Sequence, residues 1–239
     1  HTLEEFFQQH LGINIHEKFD DFNWLLFPQQ RLITIRKGEL FHDDLHANEI
    51  KQKLEYYPND IWYYLMACEW NKINAEEAFV GRCGDVNDDI GSRLIASRII
   101  QSIMTICFLQ EKKYMPYSKW FGTAFNELKS AKKLNKVFKG VLNAKNWKTR
   151  EKYLSEAYIY IAKQHNLLHL TKYIEPCIQK YYGRDYKVIF ADRFANELFS
   201  RITDDTIRNI NKIGSIDQIT NVLSILQSSD QIYKSKVLY

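Results

Sequence analysis

Between Phe79 and Phe125 the sequence gathers cations, carboxylates, hydroxyls and aromatic rings around one apolar stretch, a combination suited to holding a phosphate or another polar substrate. The segment Gly81-Arg82-Cys83-Gly84-Asp85-Val86-Asn87-Asp88-Asp89 leads into a run where Arg93 and Arg98 are the only formal charges between Ile90 and Leu109. A guanidinium within an apolar helix is costly unless a carboxylate, a carbonyl or an anionic ligand receives it. Asp89, Arg93, Ser97, Gln101 and Thr105 advance by four and so share one polar face. That face reads either as the lining of a groove for a phosphate or polar substrate, or as an internal arrangement with Arg93 paired to Asp89. Asp85, Asp88 and Asp89 could hold a divalent cation through oxygen, or could cap the helix and complement its dipole. Tyr114, Tyr117 and Trp120 could stack on a base or sugar while Lys119 meets a phosphate. Alternatively Pro116 stops one helix and Ser118 caps the next.

A second region carries charge of one sign. Lys129, Lys132, Lys133, Lys136, Lys139, Lys145, Lys148, Arg150 and Lys152 are interleaved with Phe138 and Trp147. Such a strip could track a nucleic-acid backbone, or be the solvated face of helices. His165 and His169, like His42 and His46, are four residues apart, a spacing compatible with metal binding on a helix. Zinc takes three or four ligands and no third partner is evident, so no metal site is assigned.

Placing these groups requires mostly helices. Leu3 to His10 suits a short helix, and Leu32-Ile33-Thr34-Ile35-Arg36, Lys37-Gly38 and Glu39-Leu40-Phe41-His42 read as a β-hairpin. Asn48 to Tyr57 and the stretch from Pro58 through Trp70 follow as helices. Further helices are expected over about 89–113, 118–130, 147–168, 171–182, 191–202 and 217–227. The expected fold is mainly α, a multi-helix bundle with a short N-terminal β-hairpin. Residues 1–46 form the N-terminal helix and hairpin, and 47–239 the helical domain. The hairpin would pack against a helix or extend a sheet, which an upstream domain could supply.

Composition agrees with that class. Hydrophobic residues at 45% and charged residues at 26% over 239 residues suit a globular chain with a sizeable core. Only nine Gly and four Pro favour long helices over many strands. A net charge of +4 is too small to diagnose a nucleic-acid binder. Cys68, Cys83, Cys107 and Cys177 form no Cys-x-x-Cys pair and read as reduced thiols of a cytoplasmic protein. No signal peptide and no membrane span of roughly 18 apolar residues is expected, so no membrane partner is assigned. The opening His1-Thr2 reads as a tag remnant or the start of a piece of a longer protein.

Several segments resemble the domain of unknown function 4037 family: Leu54-Glu55-Tyr56-Tyr57-Pro58-Asn59-Asp60-Ile61-Trp62, Phe79-Val80-Gly81-Arg82, Asp89-Ile90-Gly91-Ser92-Arg93 and Tyr114-Met115-Pro116-Tyr117-Ser118-Lys119-Trp120-Phe121-Gly122-Thr123-Ala124-Phe125. Gln164-His165-Asn166, Ala191-Asp192-Arg193-Phe194 and Ile213-Gly214-Ser215-Ile216-Asp217-Gln218 extend the likeness. The resemblance implies a helical substrate-binding or accessory portion that follows a nucleotidyltransferase-like domain and presents an acceptor for nucleotide transfer. On that reading Arg82, Arg93, Arg98, Tyr114, Tyr117, Lys119 and Trp120 are the candidates for substrate or phosphate contacts, and Asp85 or Asp89 the candidate base. Mg2+ and a nucleoside triphosphate belong to the upstream domain. Neither Gly91-Ser92 nor Gly214-Ser215 is followed by an Asp-x-Asp strand, so this chain alone is not expected to transfer nucleotides. The alternative is a noncatalytic RNA- or protein-binding helical module that uses the lysine strip.

Overall fold

Helix boundaries follow local capping chemistry in a computed structural model that describes residues 2–14 and 20–239. The reading of His1 as a tag remnant lies outside the described residues. In chain order the elements are α1 (Leu3–Leu11), α2 (Gln29–Lys37), α3 (Ala47–Lys53), α4 (Asn59–Glu76), α5 (Phe79–Asp85), α6 (Asp89–Gln110), α7 (Ser118–Phe125), α8 (Ala131–Asn143), α9 (Trp147–Leu167), β1 (Gln179–Lys180), β2 (Lys187–Val188), α10 (Asp192–Phe199), α11 (Asp205–Asn209), α12 (Ile216–Ile219), α13 (Leu223–Leu226) and α14 (Ser229–Lys234). Asp88 accepts the Gly91 N–H at 2.8 Å to start α6, and Asn146 accepts the Thr149 N–H at 2.9 Å to start α9. The fold is mainly helical, with one two-stranded antiparallel sheet among the described residues.

The chain divides into two units. The first comprises residues to Leu65, Lys112–Ala124 and Ile202–Tyr239. The expected N-terminal hairpin is not there: residues 29–37 form α2, and no strand lies between 20 and 46. The β-branched run is overridden by burial at helical spacing. Leu32 and Ile35 enter the core together. Pro28 sits at the cap, and Asp217 accepts the Gln29 N–H at 2.9 Å, fixing the first turn. Burial pushes the Asp217 carboxyl up to about 7. Gln29 in turn accepts the Met115 N–H at 2.8 Å.

The second unit comprises Met66–Glu111 and Phe125–Arg201, and its core lies among α5, α6, α8 and α9. α6 has the length and mean apolarity of a membrane span, which the sequence reading did not anticipate. Its most apolar window is 67% buried inside the unit, so its apolar residues have protein partners. α8 falls outside the expected ranges, yet its spacing is helical: Leu134, Val137, Phe138 and Val141 are buried. Residues 171–182 are not the expected helix. Asn166 brackets Ile174 with two hydrogen bonds, and the chain turns outward into the hairpin β1–β2. Gln179 pairs with Val188 and Lys180 with Lys187. The returning strand is held from below by Glu151, which accepts the Lys187 N–H at 2.9 Å. Glu77 accepts the N–H groups of Ile189 at 2.7 Å and Ala191 at 3.2 Å. Burial raises Glu77 to about 7 against those hydrogen bonds.

The histidine pairs dissolve in the fold. α9 ends at Leu167, so His165 and His169 do not share a helix. His42 and His46 both precede α3. His165 is a core group with Nε2 3.0 Å from the Thr171 hydroxyl, and burial depresses it to about 4.

Candidate functional site

The Gly/Asp segment forms α5, and its glycines serve packing. A Cβ on Gly84 would lie 2.0 Å from the Trp147 ring, and one on Gly81 would lie 2.5 Å from the Tyr186 ring. Both aromatic rings therefore lie directly on the α5 backbone. Tyr186 then donates its hydroxyl to Asp85, and Trp147 meets the Tyr186 ring edge to face at 6.2 Å.

The start of α6 carries an ion network that the sequence reading half anticipated. Arg93 Nε donates to Asp89 Oδ2 at 2.6 Å, while Nη1 and Nη2 donate to the carbonyls of Leu142 at 3.1 Å and Ala144 at 2.9 Å. Arg93 thus ties α6 to the end of α8. On the other side of the same carboxylate, Arg150 donates to Asp89 Oδ1 at 2.8 Å and to Ser92 Oγ at 2.6 Å. Ser92 in turn donates its hydroxyl to the Val80 carbonyl at 2.9 Å, linking α9, α6 and α5. The Arg93 and Arg150 guanidiniums hold the Asp89 carboxyl below its usual range, an environment for a permanent anion rather than a proton acceptor. Arg98 lies on the exposed side of α6 and pairs with Glu76 at 2.6 Å, so it is not the buried cation that its apolar surroundings suggested.

Asp88 caps α6, Asp85 receives Tyr186 and Asp89 is held by two arginines. Their oxygens do not form a set fit for Mg2+. Among the described residues no three His, Cys, Asp or Glu side chains are placed to share a metal.

The remaining sequence-assigned residues are split between the units: Arg82, Asp85, Asp89, Arg93 and Arg98 lie in the second, Tyr114, Tyr117, Lys119 and Trp120 in the first. Tyr114 is a packing residue. Its hydroxyl donates to the Leu54 carbonyl at 3.1 Å and its ring meets Tyr57 edge to face. Ser118 is the first residue of α7 rather than its cap. Lys119 is exposed with its ammonium 5.2 Å from the center of the Trp120 ring, and Arg82 is exposed with its guanidinium 5.3 Å from the Phe79 ring.

The lysine strip has a different character. α8 contains four lysines and no acid; Lys132, Lys133, Lys136 and Lys139 are all exposed, opposite its buried apolar face. Lys145, Lys148 and Lys152 continue the exposed positive surface to the start of α9. None of these seven takes part in an ion pair among the described residues. Arg150 leaves the strip, being fully buried. Of the interleaved rings, Phe138 is in the core, and Trp147 lies half-buried against α5 with the Lys148 ammonium 5.5 Å from its ring center. What α8 presents is a row of exposed ammonium groups on one side of the helix, without carboxylate partners among the described residues.

No curated protein and no solved structure matches the chain. Residues 24–121, which hold α2 through α6, match the family model of the domain of unknown function DUF4037.

Proposed function

We propose that this chain is a noncatalytic helical module that binds the phosphate backbone of RNA through the lysine face of α8 and the start of α9. One observation carries this reading. α8 places four lysines and no carboxylate on its solvent side, where like charges at helical spacing destabilise the helix by about 0.2–0.5 kcal/mol per pair unless an anion meets them. The groups nominated for chemistry point the same way, because Asp89 and Arg93 are bound to each other and to backbone carbonyls. The DUF4037 match ends at residue 121, before this face begins. Beside a nucleotidyltransferase-like domain that holds Mg2+ and a nucleoside triphosphate, the module would hold the acceptor strand.

The test is the salt dependence of binding to a labelled RNA, for the parent chain and for a variant with Lys132, Lys136, Lys139 and Lys145 all changed to Gln. Each lost phosphate contact lowers the slope of log affinity against log salt by about 0.7 for single strands, so the variant should lose close to 3 in slope and more than tenfold in affinity at low salt. An unchanged slope, or no binding by the parent at about 50 mM salt, overturns the reading.

A further inference from the structure

The hairpin β1–β2 continues the lysine face and ends in an exposed aromatic ring. Its return strand is fixed to the first turns of α9: the Lys187 N–H bonds to Glu151, which lies between Lys148 and Lys152, and Tyr186 meets Trp147. Exposed Arg184 and Lys187 thereby follow on from Lys148 and Lys152, while Lys180 is paired with Asp185 at 3.2 Å. The base of the hairpin is firm. Tyr181, Phe190 and Trp147 pack against a small core of Ala78, Tyr186 and Val188, and the Tyr181 and Phe190 rings stack.

Tyr182 projects beyond that base. It is 80% exposed, meeting Tyr181 at 4.8 Å and Phe190 at 5.6 Å edge to face. Its backbone is left-handed, φ 45° and ψ 47°, a conformation unfavourable for a bulky aromatic residue and normal for Asn or Gly. An exposed aromatic ring at such a position, flanked by the exposed cations Lys180 and Arg184, is placed to meet a planar partner. Of the rings interleaved in the lysine strip, Phe138 is buried and Trp147 half-buried, so the hairpin adds a far more exposed aromatic ring to the positive surface.

We infer that Tyr182 stacks on an unpaired base of a single strand whose phosphates lie along the α8–α9 lysines. This rests on the RNA-binding reading above and deepens it, because bases held inside a duplex do not expose a face to a hairpin tip. The partner is single-stranded nucleic acid, and the stack itself does not distinguish RNA from DNA.

Fluorescence anisotropy with the full chain tests the inference, using single-stranded RNA and DNA of about 15 nucleotides and the corresponding RNA duplex. Tyr182→Asn keeps a residue at ease in the left-handed region while removing the ring; Tyr182→Phe keeps the ring. We expect Tyr182→Asn to weaken both single strands about fivefold or more, the usual worth of a base–aromatic stack, and to leave the duplex unchanged. Tyr182→Phe should bind as the parent does. Single-strand affinity unchanged in Tyr182→Asn, with binding still lost in the lysine variant, overturns the stack and leaves the module reading intact. Equal loss for strand and duplex overturns it too. Failure of the parent to bind any of the three overturns both.

Discussion

The arginines of α6 and the lysines of α8 look alike in the sequence, as cations spaced along helices, yet the fold treats them in opposite ways. Arg93 reaches one carboxylate and two carbonyls, Arg98 reaches Glu76, and Arg150 from α9 joins them at Asp89. The α8 lysines reach no acid among the described residues. The planar fork of a guanidinium suits several fixed acceptors at once, whereas an ammonium on a flexible stem keeps its hydration and waits for a mobile partner. The lesson is that charge within an apolar helix marks a structural junction here, and the unpaired cations are on the helix with the cleaner amphipathic division.

The strongest way to break this comparison is to remove the buried member of the arginine set. Arg150→Ala should lower unfolding stability in urea by about 2–5 kcal/mol, because a fully buried side chain is removed and buried Ser92 loses its donor at the α5–α6–α9 junction. A loss below about 1 kcal/mol would mean that the network is incidental to the fold.

A buried carboxylate sharpens it next. Glu77 is raised to about 7 in the folded chain, so the folded state keeps a proton that the unfolded chain releases above 4.5. The contribution of this group to stability is therefore greatest below about pH 4.5 and declines up to about pH 7, by as much as about 3 kcal/mol. Glu77→Gln should flatten that part of the profile. Asp217, also raised to about 7, leaves a residual slope in the same window. A profile identical in Glu77→Gln and parent would contradict the assignment.

The smallest effects separate the two cation sets most directly. Arg93→Ala should lose about 1 kcal/mol of stability, since its ion pair is half exposed, and should leave RNA affinity nearly unchanged. Lys136→Gln should do the reverse, with stability unchanged or higher by a few tenths of a kcal/mol as like-charge repulsion is relieved. Affinity loss in Arg93→Ala equal to that in Lys136→Gln would erase the distinction between the two faces.

How far the chain could be read in advance varied by interaction range. The start of α6 was legible because the acids precede the apolar run, and Asp88 does cap it. The Arg93–Asp89 pair was legible because it spans one turn. The role of Arg150 was not, since its partners lie 61 and 58 residues away and its neighbours in sequence are surface lysines. The left-handed Tyr182 gave no local signal, because its placement depends on Glu77 and Glu151 gripping the far strand.

The sequence by itself determined that the protein is mainly helical, where the long helices α6 and α9 run, and which residues carry positive charge, because these follow from spacing and caps within a few turns. Only the tertiary structure decided that residues 29–37 coil rather than extend, that the hairpin stands at 179–188, and which cations are neutralised. Those outcomes depend on carboxylates and apolar surfaces brought from distant parts of the chain. Their free energy exceeds the few tenths of a kcal/mol by which local propensities differ.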